Sequence, residues 1–569
     1  MAVLGILLLL CSLPIFWISI QRTCGLWINY LEARKFGIPI KILLFNRQDD
    51  IWLFVWRHFY PFFKALPFDL GSWIDYSFHG WNVAIRFRKH EDLGDVFVLV
   101  TPNQNEIVTT DPVAGLELES KYKTWYKPQH HYHIFDLFGK NLLTVNGDEW
   151  QRHRKITSPA FREVNYRLVW NESLKQAKQM FQIARNRSQG HNYMEDIKND
   201  SIIFAMHVLS AVGFGHVYDF DGGLRKVPAG HAVSFSSTMW FIFTKFLRIV
   251  MFRNLSLPSW LTPGWLVDIH KHLNEFRQYM EEAIEKQRLA GPAPVGSGAD
   301  IVSALISANE VMKNEEKSIL TPAGKRSYLN DNELYGNMFI LNLVGFEPPA
   351  NAAMHVLPFL ASYREVQDWA GEEVDAVLGN SDDLEYEEVF PRLVRCQAVL
   401  YETLRFWGPL GDTTRISVAE PEILRVGKHE LVIPPKVYVN WDFAGSQTDS
   451  RWWGADSMEW RPQRWIKVDQ EIGHEVLEAP SEAAEMAFNA WSGGPRVCPG
   501  KKFSQVEIVA MVATLLKSYR MKPMILPERG MRTEQHAQAE LLSVTNDLEL
   551  PARMKGERMR DAGIVILDR

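Results

Sequence analysis

The stretch that constrains this chain most is Trp491-Ser-Gly-Gly-Pro-Arg-Val-Cys-Pro-Gly500. A lone cysteine sits near its end, glycines flank it, Arg496 lies two positions before it, and a helix pattern starts at once after it. A thiolate beside a metal needs positive potential and backbone donors. Pro499 has no N–H to donate and suits the first position of a helix. Cys498 is therefore expected at the N-cap, with the amides of Gly500 and Lys501 aimed back at sulfur. The positive end of a helix running to Ser518 would favour the anion. Gly493, Gly494 and Gly500 remove Cβ atoms that would hold backbone away from a flat macrocycle. Cys498 is read as an axial metal ligand in such a ring, and Arg496 as the partner of a carboxylate on its rim. The plainer reading is a buried structural cysteine beside a turn. Zinc and iron–sulfur sites want clustered cysteines, whereas Cys11, Cys24 and Cys396 each stand alone.

The run resembles the haem-ligand signature of the cytochrome P-450 family, F-x-x-G-x-R-x-C-x-G, at Gly494, Arg496, Cys498 and Gly500, with Trp491 replacing Phe. Four further stretches are similar to that family's motifs, in its order. Trp150 and Arg154 are four apart and share a helix face, like W-x-x-x-R, which implies an indole N–H and a guanidinium at the haem propionates. Val344-Gly-Phe-Glu-Pro-Pro-Ala350 occupies the place of A/G-G-x-D/E-T-T. Gly345 and Glu347 match it, but Pro348 stands where a threonine usually helps deliver protons to oxygen. The two prolines leave the carbonyls of Val344 and Gly345 without helical donors. Water held there, with Glu347 as the catalytic acid, is the expected substitute for the alcohol. Glu402 and Arg405 form E-x-x-R, and Trp460-Arg-Pro-Gln-Arg-Trp465 is similar to P-E-R-F. Arg464 is expected to join Glu402 and Arg405 in a buried charge network, a structural role, because removing one member strands the others. Arg415, in a strand-rich stretch 413–443, is a further propionate candidate.

The resemblance covers roughly residues 95–520 and implies a mainly α fold with a small β part (α+β). It implies one haem b (iron protoporphyrin IX) and a monooxygenase acting on an apolar small molecule. Electrons would come from NADPH through NADPH–cytochrome P-450 reductase, with cytochrome b5 as a further donor. The style of the motifs is similar to fungal secondary-metabolism members. Arg152, Lys155, Lys501 and Lys502 are candidates for an acidic donor's docking surface, set against a plain solvated basic patch. Two other readings stand beside this one: a haem-thiolate isomerase or dehydratase needing no external electrons, which Pro348 supports, and a membrane haem protein without turnover.

The charge sum, 62 basic against 68 acidic residues, is −6, so no basic excess points to nucleic acid. Four cysteines in 569 residues argue against a disulfide scaffold and for a reducing, cytosol-facing location. Ala2 to Ile20 carries no charge, and nineteen helical residues span about 28 Å, enough for a bilayer core. A secretory signal peptide competes, but no charged leader or small-x-small cleavage site is evident. Arg22, Arg34 and Lys35 follow, which keeps the rest cytosolic. The expected organisation is a single transmembrane anchor over 1–21 in the endoplasmic reticulum membrane, a membrane-interface linker over 22–70 rich in Trp and Phe, and a haem-thiolate catalytic domain over 71–569.

Elsewhere, strands are expected at 95–100 and 106–110, a histidine-bearing loop at 122–139, and helices through 165–290. The greasy region between Phe235 and Trp265 is divided between core packing and a substrate lid that dips into the bilayer. A Gly/Pro/Ser connector is expected at 290–298, a long central helix at 334–363, and strand and turn after 520, where 541–545 is a guess at a substrate contact.

Overall fold

The computed structural model describes residues 2–67, 70–187, 193–194, 196–221, 227–291, 300–318, 326–379, 385–471, 473–527, 530–546 and 563–569. Side chains are described from residue 16, apart from those of residues 50 and 54. Among helices of seven residues or more, α1 is Ala2–Ala33, α2 Asp50–Lys64, α3 Pro112–Ser120, α4 Gly147–Thr157, α5 Glu163–Arg187 and α6 Ile197–Phe214. Next come α7 Phe235–Thr244, α8 Phe246–Phe252, α9 Gly264–Ala290, α10 Ile301–Ser318 and α11 Asp331–Ser362. The last four are α12 Arg364–Leu378, α13 Val394–Phe406, α14 Lys501–Ser518 and α15 Glu534–Asn546.

The core is a helical bundle around α11. A capping box starts this helix: Asn330 accepts from the Glu333 amide at 2.9 Å, and Glu333 accepts from the Asn330 amide at 2.9 Å. Its 32 residues are buried along most of their length, so the periodicity of one apolar face disappears. Helix α11 packs on α6, and α14 packs on α5. The chain stays helical through Pro348, Pro349 and Pro358, so the double proline removes donors without ending the element.

The main sheet has strand order β1 Ile40–Ile42, β2 Val96–Val100, β3 Asn105–Thr109, β9 Tyr438–Asp442, β6 Asp412–Ser417, β4 Trp125–Tyr126. Strands β2 and β3 form the expected hairpin, with Val98 opposite Ile107, and β3 runs parallel to β9 with Ile107 opposite Val439. Its β2 and β3 are buried along their whole length. Two hairpins are separate from it: β7 Glu422–Val426 with β8 His429–Ile433, and β10 Ile466–Val468 with β11 Glu475–Leu477, the latter packed on α13. Strands β12 Tyr519–Pro523, β13 Ile564–Asp568 and β5 Tyr193–Met194 form a third small sheet.

Two expectations change. The stretch 122–139 is not a plain loop: it holds β4, a helical turn Gln129–Tyr132 and a 3-10 turn His133–Phe135. Residues 541–545 lie in helix α15, which packs on α11 and β12, and Thr545 is buried with its hydroxyl on the Leu541 carbonyl at 2.7 Å. The 292–298 part of the connector lies outside the described residues.

The anchor also differs from a separate span over 1–21. Residues 2–33 form one helix, and its second half is docked on the sheet. Asn29 donates to the Thr101 carbonyl at 2.8 Å and its own carbonyl accepts from Asn105 at 2.9 Å. A Cβ at Gly25 would lie 2.3 Å from the Pro102 carbonyl oxygen, so only glycine permits this approach. The expected linker 22–70 therefore begins inside a helix. Among the described residues no single helix is long and apolar enough to cross a membrane. The side chains of 2–15, where the expected span begins, lie outside them.

Candidate functional site

The Cys498 loop sits between the end of α3 and the start of α14. Gly494 has φ +59, and a Cβ there would lie 2.9 Å from the Glu119 carbonyl oxygen. A Cβ at Gly493 would press on Leu116 at 3.2 Å. These two glycines are thus demanded by α3, not only by room for a macrocycle. Gly500, not Cys498, is the N-cap of α14. The Cys498 amide donates to the Trp491 carbonyl at 2.9 Å and its carbonyl accepts from Lys501 at 3.3 Å. The expected amide contact from Lys501 to sulfur is therefore replaced by one to the backbone. The Gly500 amide does point at the sulfur.

Cys498 retains exposed surface, yet burial raises its thiol, while the Gly500 amide, Arg154 and Lys127 pull the other way. The sulfur is thus accessible and yet set among enough protein to be desolvated. Trp491, buried beside it, donates from Nε1 to Ser504 at 2.9 Å and meets the Tyr401 ring at 5.3 Å.

Helix α4 supplies the second wall. Trp150 is buried against Tyr122, ring centroids 4.9 Å apart, and the Arg496 guanidinium lies 4.9 Å from the Trp150 ring. Arg496 donates to the Val145 carbonyl at 2.6 Å and to Asn146 at 3.2 Å, and its Nη1 is buried without a partner. Burial and the neighbouring Arg415 push it down to about 9. Arg154, one turn after Trp150, is held below its ordinary value by burial, with the Cys498 charge acting against that. Arg415 lies in the same group but is already engaged: Nη2 meets Glu119 at 2.6 Å and Nη1 meets Thr413 at 2.7 Å.

Lys127 belongs to this wall although no motif marked it. It is driven far below the usual lysine range by burial and then by Arg496 and Arg415, and its ammonium lies 5.0 Å from the Tyr132 ring. Asn146 clips its backbone from both sides, accepting from the Lys127 amide at 3.1 Å and donating to its carbonyl at 2.9 Å. Lys127, Arg415 and Arg496 face one carboxylate, Glu119, and Arg415 takes it. Lys127 and Arg496, both half-buried, are left without a carboxylate partner of their own among the described residues, a state that an anionic group would relieve.

On α11, Val344 is 40% exposed in the middle of a buried helix. Glu347 is half-buried, and desolvation alone raises it to about 8. Phe346 is buried beneath Phe243 of α7, edge to face at 5.0 Å.

Glu402, Arg405 and Arg464 are brought together. Glu402 accepts from Arg405 at 2.8 Å twice, from Arg464 Nε at 2.9 Å and from the indole of Trp465 at 2.9 Å. The remaining guanidinium donors reach the carbonyls of Gln447, Ser457, Glu459, Trp453 and Asp456. Of the basic residues expected on the donor-docking surface, Arg152 is withdrawn: it pairs with Glu333 at 2.6 Å. Lys502 is half-buried over the Phe390 ring at 4.1 Å, and Lys155 and Lys501 are exposed.

A helical bundle with a small sheet, closing on a lone cysteine beneath a cation-rich wall, is the arrangement of a haem-thiolate protein. The cytochrome P-450 sequence profile matches residues 71–550. The chain is 27% identical over 542 residues to a cytochrome P-450 monooxygenase of Arthrobotrys oligospora, covering 89% of this chain and 90% of that one. It is 23% identical over 599 residues to the phomenoic acid biosynthesis cluster cytochrome P-450 monooxygenase of Leptosphaeria maculans, covering 96% and 99%. A solved cytochrome P-450 crystal structure superposes with a TM-score of 0.57 at 18% identity, over 77% of this chain and 88% of that one. The chain belongs to the cytochrome P-450 family and is an oxidoreductase of the monooxygenase kind.

The family's cofactor is a haem bound through a cysteine thiolate, and the residues present fit it. The Cys498 sulfur is accessible yet desolvated, and the Gly500 amide points at it. The unneutralised cations beside it match the two carboxylates of haem b.

Proposed function

We propose that Cys498 would bind the iron of haem b through its sulfur, and that Lys127, Arg154, Arg496 and Trp150 would hold the carboxylates of the haem. We propose further that the space beside Val344 and Glu347 is the opposite wall of the same cavity, where an apolar small molecule is oxygenated. The observation that carries this reading is the Cys498 sulfur, accessible yet desolvated, with the Gly500 amide aimed at it. When bound, the haem supplies dioxygen activation, which a thiolate's electron donation favours. The protein's own part is to orient substrate, exclude water and supply protons. Glu347, raised to about 8, is a neutral acid at neutral pH and has a proton to give. Pro348 cannot take the place of an alcohol, so the carbonyls of Val344 and Gly345, which lack helical donors, are the acceptors that would hold water for that proton.

Electrons are assigned to NADPH through a membrane reductase docking at exposed Lys155 and Lys501. The uncharged stretch 2–20 is assigned to the endoplasmic reticulum membrane, with the catalytic domain in the cytosol. The exposed aromatics Trp17, Trp27, Phe59 and Phe62 lie at the interface. Helices α7 and α8, bent by 79°, are the greasy lid. A role in secondary metabolism is the pathway reading, and the phomenoic acid cluster relative supports it.

The test is the carbon monoxide complex of the reduced protein. The expected result is the red-shifted Soret band of sulfur-ligated iron, lost in Cys498→Ser; its absence in the wild type overturns the reading. Pro348 favours a second reading, an isomerase or dehydratase. NADPH consumption dependent on substrate, reductase and oxygen separates the two.

A further inference from the structure

The segment leading into α7 is fastened to α9 by one histidine. His231 Nδ1 lies 3.0 Å from Glu275 Oε2, and Nε2 lies 3.0 Å from Glu282 Oε2. The ring stacks on Tyr279 with centroids 3.7 Å apart and planes 3° apart. Its side chain is 2% exposed. Around it, the Ala232 amide donates to Glu275 at 3.0 Å and Tyr279 donates to the Val233 carbonyl at 2.9 Å. Neutral imidazole has one N–H, so it cannot donate to two carboxylates at once; imidazolium can. The parallel face of Tyr279 suits a cation as well.

Helix α7 starts four residues after His231, and its other end carries Phe243, which packs on Phe346. Phe346 precedes Glu347. The latch and the active-site helix are thus joined by one short, rigid element.

We propose that His231 is a positioning residue for the monooxygenase: doubly hydrogen-bonded between Glu275 and Glu282, it latches the entry of α7 onto α9 and holds Phe243 down on the central helix, whereas a ring with a single N–H can donate to only one of the two carboxylates. The proposal rests on the haem-cavity reading only in what lies under α7. The groups facing the ring are Glu275, Tyr279 and Glu282 from α9, and His216 at the end of α6. Lys286 and Asp300 act on His216 in turn. His216 also acts on Glu282 through space, but among the described residues His231 is the basic side chain within hydrogen-bond distance of both carboxylates. Gln278 also donates to Glu282 at 2.9 Å, which keeps that carboxylate in place.

Glu282→Gln is the discriminating variant, because Glu282 is 53% exposed and its loss spares the core. A glutamine amide can donate to Nε2, so a neutral ring then satisfies both contacts. Backbone hydrogen-exchange protection of 231–244 is measured in the holoenzyme near about pH 6 and about pH 9, corrected for intrinsic exchange. The expected result is a fall of about tenfold in protection in the wild type as pH rises, and no such fall in Glu282→Gln. Carbon monoxide rebinding after photolysis should quicken over the same range in the wild type alone. Equal pH profiles in the two proteins, or a flat wild-type profile, overturn the latch. A normal carbon monoxide spectrum alongside that result leaves the haem reading standing, whereas a missing spectrum with intact pH-dependent protection sinks the haem reading instead.

Discussion

The carboxylate of Glu402 takes both Nε and Nη2 of Arg405, each at 2.8 Å, and the pair is completely buried. Burial opposes the Glu402 charge, but Arg405 and Arg464 outweigh it and hold the carboxyl below its ordinary range. Glu402→Gln should leave two buried guanidiniums short of charge and cost about 3–5 kcal/mol. Denaturant unfolding of the holoprotein measures this. The carboxylate's contribution is whole above its unfolded value, about 4.5, and is lost as pH falls through its lower folded value. The acid limb of the stability curve should therefore flatten in the variant.

Lys127 should hold the cofactor without touching its chemistry. Lys127→Met keeps the stem that packs on Tyr132 and removes the charge. Haem transfer from the variant to an excess of apomyoglobin should be about tenfold faster, the worth of one charge-assisted contact. An unchanged transfer rate would assign Lys127 to packing alone.

Glu347 is expected to act as a protonated acid. Coupling of NADPH use to product should decline in the wild type as pH rises through about 8, the value to which burial lifts this group. Glu347→Gln should lower coupled turnover by at least about 100-fold and abolish that alkaline decline. The sign for stability follows from the same shift. The folded state keeps the proton that the unfolded chain sheds near 4.5, so stability falls from about 4.5 to about 8 and is flat above. Urea titrations across that range should show a shallower slope in the glutamine variant.

Two glycines of the cysteine loop should respond differently. Gly494→Ala forces a Cβ onto a residue at φ +59 and to within 2.9 Å of a backbone oxygen. A strain of about 1–3 kcal/mol in the loop is expected, with a visible loss of holoprotein by absorbance. Gly500→Ala places its Cβ 3.8 Å from the sulfur at φ −84, ordinary contact and ordinary backbone, so the haem content should change little.

The elements most legible in the sequence were those whose patterns are local. The β2–β3 pair follows from two strand-forming runs around the turn residues Pro102 and Asn103, and α11 from a long apolar stretch. The Trp150/Arg154 spacing placed both side chains on one face of α4 because four residues make about one helical turn. Helix α15 was missed because 534–546 has no marked apolar stripe; packing on α11 and β12 makes it helical.

What the chain determines by itself is which residues lie close along it: a sulfur next to Gly500, a charged pair one turn apart in α13, a proline where a hydroxyl is common. What only folding decides is which distant charges meet. Glu119 and Arg415 are 296 positions apart and Lys127 has no motif at all, yet together with Arg496 they set the charge of the wall beside the sulfur. The physical reason is that desolvation and charge balance depend on every group packed around a site, and no spacing rule in one segment carries that sum.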